Sequence, residues 1–176
     1  AASPVPLATR CAPLNGVHNV FGRTFTVVLP NRGVTTPLPL MMNIHGAAAN
    51  APWQEVTTGT GDAARKGNFI AVFPQAREAT GRIWDISTNG VDMQFLVGII
   101  NYMKSSGCVN STRIYVTGFS QGGMLTSQLA CNYPNLINRA APIGGIIPTY
   151  NCAKGKPVPM MAVNGTDDSI VLYNGH

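Results

Sequence analysis

The chain has 176 residues, of which 45% are apolar and 11% are charged, and its formal net charge is +5. This length and composition allow a sizeable core and exclude an intrinsically disordered protein. The basic residues are scattered and form no run or helical stripe, so the positive charge does not indicate nucleic-acid binding. We expect one globular domain over residues 1–176, with a weakly cationic surface and no nucleic-acid partner.

No apolar run approaches the roughly 18 residues that a membrane-spanning helix needs, so we expect no membrane partner. The first residues, AASPVPLATRCAP, lack the basic and then apolar pattern of a signal peptide and are typical of a mature N-terminus after processing. The sequons at Asn110 and Asn164 agree with export.

The four cysteines have no CxxC spacing, which argues against a zinc site or a redox pair. Two disulfides in a secreted protein would account for them, and four buried thiols in a cytosolic protein are the alternative. We therefore predict that the protein is secreted and that Cys11, Cys108, Cys131 and Cys152 do not form a metal site.

The predicted elements are short apolar strands separated by helical segments. RTFTVVLP (23–30) alternates apolar and polar residues and ends at proline, which is typical of a strand. PLPLMMNIHG (37–46) is a nearly continuous apolar run, as expected for a strand buried on both faces. NFIAVFP (68–74) repeats this pattern after a polar helical stretch around residues 62–66.

The second half of the chain continues the alternation. VDMQFLVGIINYMKSSG (91–107) has apolar residues at helical spacing and ends at glycine. TRIYVTG (112–118) predicts a strand, followed by a helix to about residue 131 and by strands in RAAPIGG (139–145) and KPVPMMAVNG (156–165). Strands separated by helices predict a parallel sheet with helices on both faces.

Residues 118–122 read GFSQG, the G-x-S-x-G pattern of a nucleophile elbow. A nucleophilic serine must stand clear of the sheet on a turn so tight that the flanking positions lack bulk, which Gly118 and Gly122 provide. The strand before this pattern and the small-residue helix after it are the required context. An ordinary serine in a glycine-rich turn is the alternative, and the context favours a nucleophile at Ser120.

Other polar residues follow the strands that precede and follow this elbow. In parallel sheets the reactive groups collect at the carboxyl ends of the strands. His45 ends one strand, and Asp167 and Asp168 follow another. Either aspartate could orient a catalytic base, or both could form an ordinary capping turn. The backbone amide of Ala47, beside that of Gln121, could bind an oxyanion.

The catalytic base is the missing part of this arrangement. In an elbow hydrolase the histidine follows the acid along the chain. His176 is the only histidine after the aspartates and is a chain end, where order is poor by default. His45 precedes the nucleophile and is expected to be structural, and His18 to be a surface or packing residue. We expect the chain to be a fragment whose base lies beyond residue 176.

Together these stretches resemble the secreted esterases of the polyhydroxybutyrate depolymerase and feruloyl/acetylxylan esterase group, carbohydrate esterase family one. The most specific parts are CVNSTRIYVTGFSQGGMLTSQLAC (108–131) and NGTDDSIVLYNGH (164–176). The resemblance implies an α/β-hydrolase fold that lacks its last strand and helix. It assigns the acid to Asp168, the oxyanion donor to Ala47, and disulfides to Cys131–Cys152 and Cys11–Cys108.

The resemblance also implies the activity. Ser120 would attack feruloyl or acetyl esters of plant cell-wall polysaccharide through an acyl-enzyme, without metal or cofactor, in a monomer. Trp53, Trp84 and Tyr173 could line an aromatic cleft or could be packing residues. A polyhydroxyalkanoate or other polyester depolymerase is one alternative. A non-catalytic hydrolase-fold protein that binds carbohydrate or polymer is the other.

Overall fold

The structure, a computed structural model, describes residues 5–147 and 151–175. Six strands form one sheet, and helices lie on both of its faces. The strands are β1 (Gly16–Val20), β2 (Arg23–Val28), β3 (Leu38–Ile44), β4 (Ile70–Pro74), β5 (Val109–Phe119) and β6 (Arg139–Ile143). The helices are α1 (Leu7–Cys11), α2 (Ala51–Thr58), α3 (Thr60–Lys66), α4 (Val91–Ser105) and α5 (Gln121–Asn132), with 3₁₀ turns at Ala12–Leu14 and Glu78–Thr80.

The strand order is β1-β2-β4-β3-β5-β6. The pairs from β4 to β6 are parallel, whereas β1 with β2 and β2 with β4 are antiparallel. The prediction of a mostly parallel α/β sheet is therefore confirmed. The antiparallel edge strand β1 was not predicted from the sequence.

Side chains alternate between two cores because successive residues of a strand point to opposite faces. On β4, Ile70 and Val72 join the larger core, while Ala71 and Phe73 face the other side. The larger core includes apolar residues of α4 and α5, and the smaller core includes Ala51 and Ala64 from α2 and α3. β3 is buried along almost its whole length, as a central strand covered on both faces should be.

The chain after β6 follows its edge without forming a regular strand. Isolated parallel bridges join Ala140 to Met160 and Ile143 to Val163. The predicted strand over 156–165 is thus reduced to bridge pairing. Proline has no N–H to donate to a ladder, and Pro157 and Pro159 lie in this segment. The bridges still place the residues after 163 next to the carboxyl end of β6.

Two disulfides hold the outer parts of the chain. Cys11 of α1 is bonded to Cys108 just before β5, and Cys131 of α5 is bonded to Cys152. These are the pairs that the family resemblance implies. The first joins residues 97 positions apart in the sequence, and the second joins residues 21 positions apart. Such bonds persist in oxidising compartments.

Candidate active site

Ser120 lies on the turn between β5 and α5, with φ 54° and ψ −120°. A non-glycine residue in this region is strained by about 1–3 kcal/mol and persists only where the surroundings hold it. Its amide donates to the carbonyl of Ile143 at 2.9 Å, and its carbonyl accepts from Met124 at 3.0 Å. The turn is therefore fixed from both the sheet and the helix, with Ser120 at its tip.

Glycines surround this turn because the backbones approach too closely for side chains. A Cβ on Gly122 would lie 2.1 Å from the carbonyl oxygen of Ile44, and one on Gly118 would lie 2.4 Å from the oxygen of Gly122. A Cβ on Gly145 would lie 2.3 Å from the carbonyl oxygen of Ser120. The first two glycines belong to the predicted motif, whereas Gly145 packs on the elbow from a distant part of the chain.

Gly122→Ala is expected to destabilise the protein by about 3–4 kcal/mol, because a Cβ would overlap a buried backbone carbonyl that cannot move alone. Urea unfolding measures this change. Gly165→Ala is the matched control, since the nearest atoms to its Cβ would be 3.8 Å away. A Gly122→Ala variant within about 1 kcal/mol of wild type would contradict the close approach.

A cavity of about 400 Å³ opens beside Ser120. The loop after β3 forms one wall and Phe119 forms another. Trp53 and Phe119 are 47% and 46% exposed, so two aromatic surfaces are available to a bound molecule. The lining residues are Gly46, Ala47, Ala48, Ala49, Asn50, Trp53, Arg82, Phe119 and Ser120.

The two predicted oxyanion donors, the backbone amides of Ala47 and Gln121, belong to segments that adjoin Ser120. A Cβ on Gly46 would lie 3.3 Å from the Cβ of Ser120, so the loop that carries Ala47 contacts the serine directly. Gln121 is the first residue of α5, where backbone N–H groups have no partner within the helix. Among the described residues, neither the Ala47 nor the Gln121 amide donates a hydrogen bond. Both N–H groups are therefore without a partner in the described part of the chain, as an oxyanion donor must be before substrate binds.

His45 anchors the loop between β3 and α2 (residues 45–50), named the oxyanion loop because it carries the predicted donor Ala47. It is fully buried; its Nε2 accepts from the Ala76 amide at 3.1 Å, and its Nδ1 lies 2.7 Å from the Gly46 carbonyl oxygen. Since Nε2 accepts, the proton must be on Nδ1 and is donated to Gly46. Burial lowers the pKa of His45 below its ordinary value. His45 is thus a neutral structural residue, as its position in the sequence indicates.

His45 is expected to make stability pH-dependent. In the unfolded chain the His45 imidazole becomes protonated near pH 6.5, whereas in the folded protein its pKa is lower. The stabilisation is complete above about pH 6.5 and is lost as the pH falls toward the lowered folded-state pKa. Nitrogen NMR should show a protonated Nδ1 and an imidazole that titrates below pH 6.5. Urea unfolding of His45→Gln should lack this component; an Nε2–H tautomer would contradict the assignment.

Trp84 supports the same loop. It is 2% exposed, so of its two predicted roles the structure supports packing and not the lining of a cleft. Its indole N–H donates to the carbonyl of His45 at 2.8 Å, and its amide donates to Oε1 of Gln121 at 3.0 Å. Trp84 therefore joins the oxyanion loop to the start of α5.

A buried ion pair fixes the segment that carries Trp84. The Arg23 guanidinium contacts the Asp92 carboxylate, and both side chains are almost fully buried. The second oxygen of Asp92 accepts from the Asp85 amide at 2.6 Å. The Arg23 guanidinium also lies 3.9 Å above the Phe95 ring centroid. The ion pair thus connects β2 and α4 to the segment that carries Trp84.

Asp168 lies next to the elbow. Gly144 donates to the carbonyl of Val163 at 2.8 Å, so the edge segment is hydrogen-bonded to the strand end that also holds Ser120. A Cβ on Gly144 would be 3.1 Å from the Phe119 ring and 4.0 Å from Oδ2 of Asp168. These distances place the Asp168 carboxylate near Gly144 and Phe119, at the carboxyl ends of β6 and β5.

One oxygen of Asp168 is fixed by the backbone. Oδ1 accepts from the amides of Val171 and Ile170, each at 2.9 Å, and these bonds lower the pKa of Asp168. Oδ2 makes no hydrogen bond within the described residues. The carboxylate is therefore ionised and oriented, with one oxygen available to a cationic or N–H partner.

The structure does not place a histidine at Ser120 within the described residues. His18 contacts Tyr102 and the Leu14 carbonyl, and it stacks on Phe25. His45 is bonded as described above, and His176 lies outside the described residues. Tyr173 is 59% exposed on the segment after Asp168. The described part of the chain contains no group of three or more His, Cys, Asp or Glu side chains suited to a metal ion.

Two residues of the site were missed by the sequence reasoning. Arg82 and Phe119 both line the cavity. Phe119 occupies the first variable position of G-x-S-x-G, so the motif itself could have indicated it. Arg82 lies in a loop far from any motif, and no sequence signal points to it.

The chain was also compared with known proteins. Residues 88–174 match the phospholipase/carboxylesterase family model. A feruloyl esterase B of Piromyces equi is 32% identical over 146 residues, and a bifunctional acetylxylan esterase/xylanase of Neocallimastix patriciarum is 32% identical over 154 residues. These matches cover 78% and 86% of this chain, but 27% and 22% of those proteins.

Solved structures agree on the fold. A thermostable esterase superposes with a TM-score of 0.65 at 18% identity, over 86% of this chain and 44% of that one. An acetyl xylan esterase from Aspergillus awamori gives a TM-score of 0.58 at 23% identity, over 71% and 50%. The chain therefore has the α/β-hydrolase fold. Its sequence is similar to those of feruloyl and acetylxylan esterases, and it spans less than two thirds of the length of these proteins.

No helix in residues 5–147 or 151–175 is long and apolar enough to cross a membrane.

Proposed function

We propose that the protein is a secreted serine hydrolase that cleaves feruloyl or acetyl esters of plant cell-wall polysaccharide through an acyl-enzyme. The observation that carries the proposal is the strained Ser120 between two unpartnered amides, those of Ala47 and Gln121. The relatedness to feruloyl and acetylxylan esterases supports the substrate class. The two disulfides support an extracellular location.

The reaction follows from this arrangement. The Ser120 hydroxyl attacks the ester carbonyl carbon and passes its proton to a base. The two amides bind the oxyanion of the tetrahedral intermediate. The alcohol leaves with that proton, and water then attacks the acyl-enzyme by the same path to release the acid and restore Ser120. The chemistry requires no metal or cofactor.

The base in this proposal is a histidine outside the described residues. Oδ2 of Asp168 is the available oxygen that would accept from its ring N–H and stabilise the imidazolium. This assignment is supported by His18 and His45, which are both committed to other contacts.

The test is hydrolysis by the purified protein. We expect release of ferulate from methyl ferulate or of acetate from acetylated xylan, and a burst of about one equivalent of 4-nitrophenol from 4-nitrophenyl acetate if deacylation limits turnover. If the protein cleaved polyhydroxybutyrate and none of the other esters, its substrate would be a polyester and not an esterified polysaccharide. No turnover and no fluorophosphonate adduct would overturn the enzyme proposal in favour of a non-catalytic binding protein.

A further inference from the structure

Arg82 is the only charged residue among those that line the cavity beside Ser120. The other lining residues are small, polar but neutral, or aromatic. A cavity next to a nucleophile binds part of the substrate. The role of this one cation therefore bears on which substrate is bound.

The Arg82 guanidinium has no hydrogen-bond partner in the described part of the chain. Its Nε is buried and unpartnered. The nearest carboxylate oxygen belongs to Glu78, 3.9 Å from Nε, and the Glu78 side chain is 75% exposed. An exposed pair at that distance contributes little. The Arg82 side chain is 36% exposed, so its buried Nε is left without a hydrogen-bond partner while the rest of the guanidinium can reach a ligand in the cavity.

The position of Arg82 is fixed by backbone hydrogen bonds between residues in strained conformations. Arg82 has φ 61° and Ala48, on the oxyanion loop, has φ 58°. The Ala48 amide donates to the Arg82 carbonyl at 3.1 Å, and the Arg82 amide donates to the Arg77 carbonyl at 3.0 Å. Left-handed conformations at non-glycine residues concentrate at ligand sites. Two of them, bonded to each other, fix Arg82 relative to the loop that carries Ala47.

We propose that Arg82 binds a carboxylate on the substrate, so that the site prefers esters with a negative charge near the scissile bond. This inference rests on the proposed ester hydrolysis. A guanidinium presents paired N–H donors that match the two oxygens of a carboxylate. Trp53 and Phe119 border the same cavity and offer apolar surface to the rest of the substrate. The carboxylate can belong to the acyl group or to an acidic sugar on the alcohol side.

Matched ester pairs test the preference and its source. The acyl pair is 4-nitrophenyl hydrogen glutarate and 4-nitrophenyl methyl glutarate; the alcohol pair is acetylated glucuronic acid and acetylated glucose. We expect kcat/KM to be about tenfold higher for the charged member of at least one pair, as a charge-assisted hydrogen bond allows. The pair that shows the difference identifies the side that carries the carboxylate.

Variants assign the preference to Arg82. Arg82→Met should reduce the charged-to-neutral ratio to about one, mainly through KM, and Arg82→Lys should retain part of it. Arg113→Met is the control, because it removes the same charge on β5 roughly 20 Å from Ser120 by the strand rise. Equal rates within both pairs, or a ratio that Arg82→Met leaves unchanged, would overturn the proposal.

Binding separates this inference from the proposed function. Calorimetric titration of glutarate and glucuronate into Ser120→Ala needs no turnover. If neutral esters are also not cleaved, the esterase proposal fails, but binding that weakens about tenfold in Ser120→Ala/Arg82→Met would still support the carboxylate site. Failure of both anions to bind overturns the site whatever the esters show.

Discussion

Ser120→Ala is expected to abolish covalent labelling by a fluorophosphonate and to lower kcat for ester hydrolysis by about 10⁶-fold. The attacking oxygen would be gone, and the oxyanion donors alone leave only a small residual rate. Intact-mass analysis should show one adduct on the wild-type protein and none on the variant. Steady-state hydrolysis of 4-nitrophenyl acetate measures the loss of rate.

The control for this experiment is Ser105→Ala, at the end of α4, where the hydroxyl only bonds the Tyr102 carbonyl. That variant should be labelled at the wild-type rate. An adduct that persists in Ser120→Ala would mean that another residue is the nucleophile. Near-ultraviolet circular dichroism of both variants checks that the fold is retained.

Asp168→Asn is expected to reduce kcat by about 10⁴-fold while leaving the fold intact. The side-chain oxygen of the asparagine could still accept from the backbone amides of Val171 and Ile170. The side chain would, however, carry no negative charge to stabilise an imidazolium or to select the tautomer of the histidine. The loss should appear in kcat and in kcat/KM alike, because the charge acts in the transition state.

Asp167→Asn provides the matched control, since it removes a charge from the neighbouring residue. It should retain most of the activity. If Asp167→Asn caused the large loss and Asp168→Asn did not, the acid would have been assigned to the wrong residue. Because the pKa of Asp168 is lowered, its contribution should persist well below neutral pH, so the acid limb of the pH–rate profile should reflect another group.

The central strands and the elbow were predictable because their signals are local. β3 and β4 are nearly continuous apolar runs bounded by glycine or proline, and both of their faces are covered. The end of β5 alternates buried Ile114 and Val116 with half-buried Tyr115 and Thr117, which is the period of a strand. The elbow adds a motif whose glycines have a steric cause in the structure: Gly118 and Gly122 could not carry a Cβ.

Other features depend on distant contacts. Trp84 is buried because its indole N–H reaches the carbonyl of His45, 39 residues away in sequence. Arg82 faces the cavity because its loop is bonded to Ala48. By contrast, α2 was missed although its signal was local: Asn50 caps the helix by accepting from the Trp53 amide at 2.8 Å.

Because the backbone at Ser120 is strained, selection for stability and selection for catalysis favour different residues at this position. Glycine tolerates φ 54° with ψ −120° better than any L-residue with a side chain. A screen that rewards only resistance to heat would therefore tend to enrich glycine at position 120 and discard the hydroxyl. Directed evolution of this protein for robustness needs a simultaneous screen for ester cleavage, because the most permissive residue at the tip of the elbow is one that cannot react.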